Sequence, residues 1–468
     1  MRAILILIFC LFLPLAIVAD DRPNILLVMA DDQGWGDAGF MGHPFVQTPG
    51  MDEMAKNSVV FNRFHASAPV CSPTRASVLT GRHPFRTNVP NHGHYMRPNE
   101  VTIAEVLRDS GYVTGHFGKW HIGSVQPDSP TNPGGAGFDE WYSGLNFFDI
   151  DPYLSRNGVY ENPKGQGSAI SMDATIEFLE KHKDGDKPMF AVTWFPAPHG
   201  PFAEVPVDFP GGDDLYADKK GKGYFLEITL IDQQIARLRK SLRKMGIEDN
   251  TILWYTSDNG GLMEESSGGR QKKGSIYQGG LLVPSILEWP AKWEPREINM
   301  PAFSSDIYPT LLAVTGAEVE HQPKLDGIDL VPVIEGKVMK RPPMAFWHGH
   351  TAGQSTHSDR IIKALMEAQQ AGEPSPFPER VLKNVEEYPS FSRRNPPGHA
   401  AWIEWPWKLH SIATGKDSFR LELYNLAKDP MEEKNLWHEE EARTKELLQK
   451  LESWQHSVYE SWEGRDYK

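Results

Sequence analysis

Cysteine is nearly absent from this chain: two in 468 residues, Cys10 and Cys71. No disulfide framework can therefore hold the fold, and a thiol without a partner is either idle or chemically special. Basic excess is absent too. The formal net charge is −14, and −15 without Arg2, which argues against a nucleic-acid partner. A small anionic substrate stays open, because screening over about 8 Å isolates a local cationic pocket from distant acids. No Asn-x-Ser/Thr sequon occurs, so routing by N-glycans is not expected. Beyond the N-terminus no apolar run is long enough to cross a membrane. Internal repeats and low-complexity tracts are also missing.

What is present begins with residues 1–19, which read as a secretory signal. Arg2 is its basic start, Ile4 to Leu15 its apolar centre, and Ala19 the small residue before cleavage at Asp20. The stretch is short for a stable anchor; an uncleaved anchor is the alternative. Bulky Ile8 and Phe9 make Cys10 unsuited to lipid attachment. The expected location is secreted or periplasmic, with Cys71 the one cysteine of the mature chain.

Composition, with 40% hydrophobic and 24% charged residues, is that of an ordinary globular protein. The apolar runs Asn24–Ala30, Thr251–Thr256 and Met189–Phe195 predict buried strands, and Tyr112–Thr114 a further one. Helical spacing appears over Val101–Arg108 and, most strongly, Tyr224–Met245, stopped by Gly246. Alternating strands and helices predict an α/β fold: a large mixed, mostly parallel sheet sandwiched by helices. The pattern changes near residue 345. The main α/β domain is expected over 20–345, and a smaller α+β subdomain over 346–468. His350–Pro397 reads as a long surface excursion with one helix near Arg360–Gln370. Trp402–His410 and Phe419–Leu426 read as two antiparallel strands, and Glu439–Glu460 as a closing helix.

Ligands of open parallel sheets bind beyond the carboxyl ends of the strands. Asp31 and Asp32 follow the first predicted strand, and Asp258 and Asn259 follow that over Thr251–Thr256. Lys119 and His121 come after the strand at Val113, and His199 after Phe195. Either acidic pair alone looks like a strand-ending turn. Two such pairs on two strand ends point to a hard cation, Ca²⁺ or Mg²⁺, rather than Zn²⁺. Cys71 heads a short predicted helix with Pro73 in its first turn and Gly81 at its end. Arg75 lies one turn on, an arrangement suited to an oxyanion such as sulfate or phosphate. A buried structural cysteine is the plainer alternative, disfavoured by the polar Ser-Pro-Thr-Arg around it. The plainer uses of the rest are surface placement for Lys119 and Lys273, a turn for His199, and core packing for Trp120 and most of the 14 tryptophans.

The run Cys71-x-Pro73-x-Arg75-x-x-x-Leu79-Thr80-Gly81 resembles the maturation signature of the formylglycine-dependent sulfatases, arylsulfatase-like members of the alkaline phosphatase superfamily. Gly111–His121 is similar to the family's second signature, with Phe117 bulkier than usual. Asn24–Asp32, Pro198–Pro201, Thr256–Gly260, Lys273–Gly280 and Tyr424–Leu436 extend the likeness over nearly the whole mature chain. Gln278 stands where the family has glutamate, and Leu282 where arginine is common; either departure bears on packing or substrate choice.

The resemblance implies a sulfuric ester hydrolase acting on a sulfated carbohydrate or an aryl sulfate. A separate maturation enzyme would oxidise Cys71 to formylglycine (3-oxoalanine). Its hydrate would attack sulfur beside one bound Ca²⁺ ion, form a sulfated intermediate, and eliminate sulfate to restore the aldehyde. The implied metal ligands are Asp31, Asp32, Asp258, Asn259 and residue 71 itself. His121 would orient or deprotonate the hydrate, and Arg75 would stabilise its hydroxylate. Lys119, His199 and Lys273 would bind sulfate, the last two also protonating the leaving oxygen. With a divalent ion, three carboxylates and three cationic side chains leave a local charge of +2 for a monoanionic ester. Two other functions fit the same residues: a phosphodiesterase or phosphonate hydrolase of the superfamily, and a non-catalytic receptor for sulfated glycans.

Overall fold

The computed structural model describes residues 22–202, 210–382, 396–416 and 418–467; the signal segment lies outside them. Ten strands form the central sheet: β1 (Asn24–Ala30), β2 (Val59–Phe61), β3 (Val113–Lys119), β4 (Glu140–Gly144), β5 (Leu154–Arg156), β6 (Val159–Glu161), β7 (Met189–Trp194), β8 (Thr251–Ser257), β9 (Ile286–Glu288) and β10 (Arg296–Ile298). Their order is β10-β2-β9-β8-β1-β7-β3-β4-β5-β6. The five central strands β8, β1, β7, β3 and β4 run parallel, and antiparallel pairings appear toward both edges. This is the large mixed sheet with helices that the alternating pattern predicts.

Period 2 sorts each central strand between two cores. Ile25, Leu27 and Met29 of β1 enter one apolar cluster, and Leu26, Val28 and Ala30 the other. Both faces are therefore covered, which is why β1 reads as an unbroken apolar run. On one face lie α1 (Pro49–Lys56), α4 (Gly167–His182) and α5 (Lys222–Met245). Helix α5 inserts Ile231, Ile235, Leu238 and Leu242, each such buried side chain contributing ~1.5–3 kcal/mol. It ends at Gly246, whose φ of 71° closes the helix. On the other face lie α2 (Cys71–Thr80), α3 (Ile103–Asp109) and α6 (Ile307–Thr315). Thr102 and Glu105 cap α3 reciprocally in a capping box.

Three expectations need correction. The strand read at Tyr112–Thr114 begins at Val113 and continues to Lys119, so Lys119 closes the strand instead of following it. Its two glycines hid the strand's continuation; Gly118 has φ 109°, and a Cβ there would lie 2.0 Å from the Trp194 carbonyl oxygen of β7. Within the stretch read as a surface excursion, the helix expected near Arg360–Gln370 is present as α7 (Ser358–Ala371), but it buries Ile361, Ile362 and Leu365 in the main core. Residues 383–395 of that stretch lie outside the described residues. The run Trp402–His410 is not one strand but parts of two, folded at Trp405-Pro406.

Those two belong to a four-stranded antiparallel sheet, β11 (Met344–His348), β12 (His399–Glu404), β13 (Trp407–Gly415) and β14 (Ser418–Asn425). Helix α8 (Glu441–Trp462) covers one face with Leu447, Leu451, Val458 and Trp462. The other face packs Phe346, Ile403 and Tyr424 on Ile276, Tyr277 and Leu281, bracing the segment after Lys273. Gln278 belongs to this brace. Its backbone N–H donates to Glu432 at 2.6 Å, its Oε1 accepts from Lys408 at 3.0 Å, and its Nε2 meets His65 Nε2 at 3.2 Å. A glutamate here would set a second buried carboxylate against Glu432. Leu282 is buried and pairs with His65 in a three-stranded sheet.

Candidate active site

Parallel register brings the first carboxylates together. Ala30 of β1 is opposite Ser257 of β8, so Asp31 and Asp258 are the next neighbours. Asp258 N–H donates to the Ala30 carbonyl at 3.2 Å, and Asp32 N–H to Asp258 Oδ1 at 3.2 Å. Asp32 then turns aside with φ 80°, and Asn259 Nδ2 donates to its Oδ1 at 2.8 Å. His121, two residues past β3, has φ 59°. Non-glycine residues in this region cost ~1–3 kcal/mol, a strain that clusters at functional sites.

Cys71 is the first residue of α2 and is buried. Its Sγ lies 3.3 Å from His121 Nδ1. Arg75, one turn on, is fully buried. Its Nε and Nη2 donate to Asp258 Oδ2 at 3.0 and 2.6 Å, and its Nη1 to the Lys119 carbonyl at 3.0 Å. Arg75 is thus a clamp between two strand ends, seated 5.1 Å over the Trp194 ring. Lys119 Nζ donates to Asp31 at 2.6 Å and Lys273 Nζ to Asp32 at 2.6 Å. Lys119 is fully buried and Lys273 largely so; neither is a surface lysine. His199 Nδ1 bonds the Gly200 carbonyl at 2.6 Å, leaving Nε2 3.9 Å from Asp32 Oδ2.

All ten residues singled out in the sequence therefore meet at one sheet edge. Trp120 does not join them; it is core, stacked with Trp194. Phe147, beyond β4, is a residue the sequence does not mark: its ring stacks on His199 at 4.4 Å and 15°. The neighbouring Phe148 is buried in the core, and nothing in a Phe-Phe pair says which one turns to the site.

The electrostatics of these groups are lopsided. Burial would raise the Asp31 carboxyl, but Lys119, His199, Arg75 and Lys273 outweigh it and hold the group well below the usual carboxylate range. Asp258 is pushed up to about 7 by burial and by the charge of Asp31. Burial, with Asp31 and Asp258 nearby, keeps the Cys71 thiol protonated above its ordinary value. As a thiol, Cys71 is a poor nucleophile here. Burial also lowers His121, helped by Lys119 and Arg75, so its imidazole is neutral.

The donor set fits a hard cation. Ligand atoms of Asp31, Cys71 and Asp258 lie within 4.8 Å of one another, as do those of Asp31, Asp32 and His199. Buried Asp31 Oδ1 and Asn259 Oδ1 have no hydrogen-bond partner. Carboxylate and amide oxygens converging in this way suit Ca²⁺ or Mg²⁺.

A family model described as Sulfatase matches residues 23–317. Among curated proteins, N-acetylgalactosamine-6-sulfatase of Canis lupus familiaris is 28% identical over 376 residues, 71% of this chain and 70% of that protein. Arylsulfatase A of Homo sapiens is 31% identical over 354 residues, 67% of this chain and 68% of that protein. Among solved structures, that of Ps i-CgsB in complex with k-i-k-neocarrahexaose superposes with a TM-score of 0.75 at 23% identity, covering 96% of this chain and 94% of that one.

Proposed function

The chain belongs to the sulfatase family, the sulfuric ester hydrolases, and on that premise we propose that it cleaves sulfate monoesters of carbohydrates, using a formylglycine made from Cys71 and a calcium ion. The observation that carries this reading is the convergence on Cys71 of three carboxylates, two ammonium groups and two histidines. A non-catalytic receptor for sulfated glycans has use for the cations but no need of a nucleophile with acid and base groups around it. The carbohydrate assignment draws on relatives: one is named for N-acetylgalactosamine 6-sulfate, and a structural neighbour was solved with a neocarrahexaose.

Formylglycine, produced by a separate maturation enzyme, would supply a hydrated aldehyde with two hydroxyls at this position, in place of a thiol that burial keeps protonated. Calcium would be held by Asp31, Asp32, Asp258, Asn259 and residue 71, and would supply Lewis acidity and offset the clustered carboxylates. The remaining steps belong to side chains. His121 Nδ1, 3.3 Å from position 71, takes or returns a proton there. Lys119 and Lys273 each spend one N–H on a carboxylate and keep others for sulfate oxygens. His199, its Nδ1 fixed on Gly200, presents Nε2 to the leaving oxygen. Arg75 holds Asp258 and the end of β3 in place. Single preorganised donors of this kind are worth roughly 10²–10³ in rate. The signal-like residues 1–19 support a secreted or periplasmic setting.

The test is turnover of sulfated mono- and oligosaccharides and an aryl sulfate, beside a matched aryl phosphate diester, by protein from a host that performs the maturation. Peptide mass spectrometry across residue 71 is expected to show formylglycine, and Cys71→Ala to remove turnover while keeping the fold. Preference for the phosphate diester, or full activity in Cys71→Ala, overturns the proposal.

A further inference from the structure

We infer that His92 is a substrate-positioning residue, accepting a hydrogen bond from a hydroxyl of the sugar that bears the sulfate. The inference rests on the carbohydrate reading above and adds the side chain that distinguishes a sugar from an aryl group.

The loop 91–94 is fastened at the site from two sides. Gly93 N–H donates to Ser72 Oγ at 3.1 Å, and Ser72 adjoins Cys71. On the other side it is tied to the segment before α7. Asn91 Nδ2 donates to the Thr351 carbonyl at 2.6 Å, and Gln354 N–H to the His92 carbonyl at 2.9 Å. His94 Nε2 meets the Ala352 carbonyl at 3.0 Å. That segment is itself pinned near β4, where Asn146 Nδ2 donates to the Thr356 carbonyl at 2.9 Å, one residue from Phe147. His92 thus stands on a rigid wall beside the catalytic cluster.

Its ring is oriented as well as placed. Asn91 Oδ1 accepts from His92 N–H at 2.8 Å and lies 3.0 Å from Nδ1. An amide oxygen at that distance fixes the proton on Nδ1 and leaves the lone pair on Nε2. Nε2 has no hydrogen-bond partner among the described residues, and the side chain is half-buried. Below it, a Cβ added to Gly353 would lie 1.9 Å from Cε1 and 2.3 Å from each ring nitrogen, so the ring lies flat on that glycine. Burial and the charges of Lys273, Lys119 and His199 favour the neutral ring, which agrees with the tautomer. The sulfate is met by cations; an acceptor beside them suits a neutral hydroxyl on the same substrate. A simple aryl sulfate has no hydroxyl to offer.

The experiment compares kcat/KM for 4-nitrophenyl sulfate with that for the best substrate among monosulfated hexoses and N-acetylhexosamines. His92→Ala removes the acceptor, His92→Gln restores one, and Gly353→Ala displaces the ring without altering it. Gly353 has no positive φ, so its backbone tolerates alanine. The sugar-to-aryl ratio is expected to fall about tenfold in His92→Ala and Gly353→Ala, the effect of one hydrogen bond, and to recover in part in His92→Gln. An unchanged ratio, including equal loss on both substrates, overturns the inference. If the parent protein turns over the aryl sulfate but none of the sugars, the carbohydrate reading has failed and this inference fails with it. That outcome is seen in the parent, before any variant is made.

Discussion

Arg75→Lys keeps the charge at the centre of the site and removes the fork. The guanidinium makes two bonds to Asp258 Oδ2 and one to the Lys119 carbonyl, all with no exposure to solvent. One ammonium on a shorter reach satisfies one of these acceptors and leaves the others underbonded. Two charge-assisted bonds lost at about 1.5–3 kcal/mol each amount to about 3–6 kcal/mol. Unfolding entropy near 2.1 cal/mol/K per residue gives about 1 kcal/mol/K over 468 residues, so Tm should drop by about 3–6 °C. Activity should fall further, by about 10²–10³, because Asp258 and Lys119 both lose their anchor. Arg75 is also part of the Cys-x-Pro-x-Arg run, so the aldehyde fraction at residue 71 is measured by mass spectrometry and turnover is scaled to it. Thermal unfolding by circular dichroism and kcat/KM for 4-nitrophenyl sulfate then decide. A variant within 1 °C and threefold of the parent, at equal maturation, refutes the clamp.

Phe147→Ala removes the stack on His199; it should lower turnover of sugar sulfates about tenfold but spare 4-nitrophenyl sulfate, whose leaving group needs little protonation. Equal losses on both would show that the stack does not serve the leaving oxygen. Glu432 is opposed by burial but drawn down from 4.5 to about 2 by Lys408 and His410. Its stabilisation is therefore present above pH 4.5 and fades as pH falls toward 2, some 3 kcal/mol in all. Glu432→Gln should lower Tm at neutral pH and flatten the acid limb of a Tm-against-pH curve; parallel curves would contradict this. Calcium at a hundred times its Kd should add about 2.7 kcal/mol, or about 3 °C in Tm, over chelated protein, with magnesium less effective. Identical Tm values in chelator and calcium would rule out the oxygen-ligand site.

The parts of this molecule legible in one dimension are those with a local cause. β1 and α5 announce themselves because both faces of one and a single stripe of the other must be apolar to be buried. Cys71 to Gly81 announces itself because a helix start, a proline and a left-handed cap are each set by neighbouring residues. What failed had a distant cause. β3 runs on to Lys119 because Gly118 lets the Trp194 backbone approach, and α7 is core because its partners lie across β4 to β6. The Trp402–His410 run hides a hairpin, since its hydrophobicity continues through the turn.

The site divides along the same line. Most of its members could be named from sequence, because they close a strand, follow one by at most five residues or lie in the first turns of α2, where backbone geometry exposes side chains to one edge; Lys273 has no such local mark and was named through the family resemblance. Their roles in the cluster could not. That Arg75 clamps Asp258 rather than standing free, that Lys119 and Lys273 rest on Asp31 and Asp32, and that Phe147 and His92 border the site are consequences of parallel register and loop packing. Sequence by itself determined the chemistry available, since that depends on residue type. Tertiary structure alone decided who pairs with whom, because those distances are set by contacts between segments up to 241 residues apart.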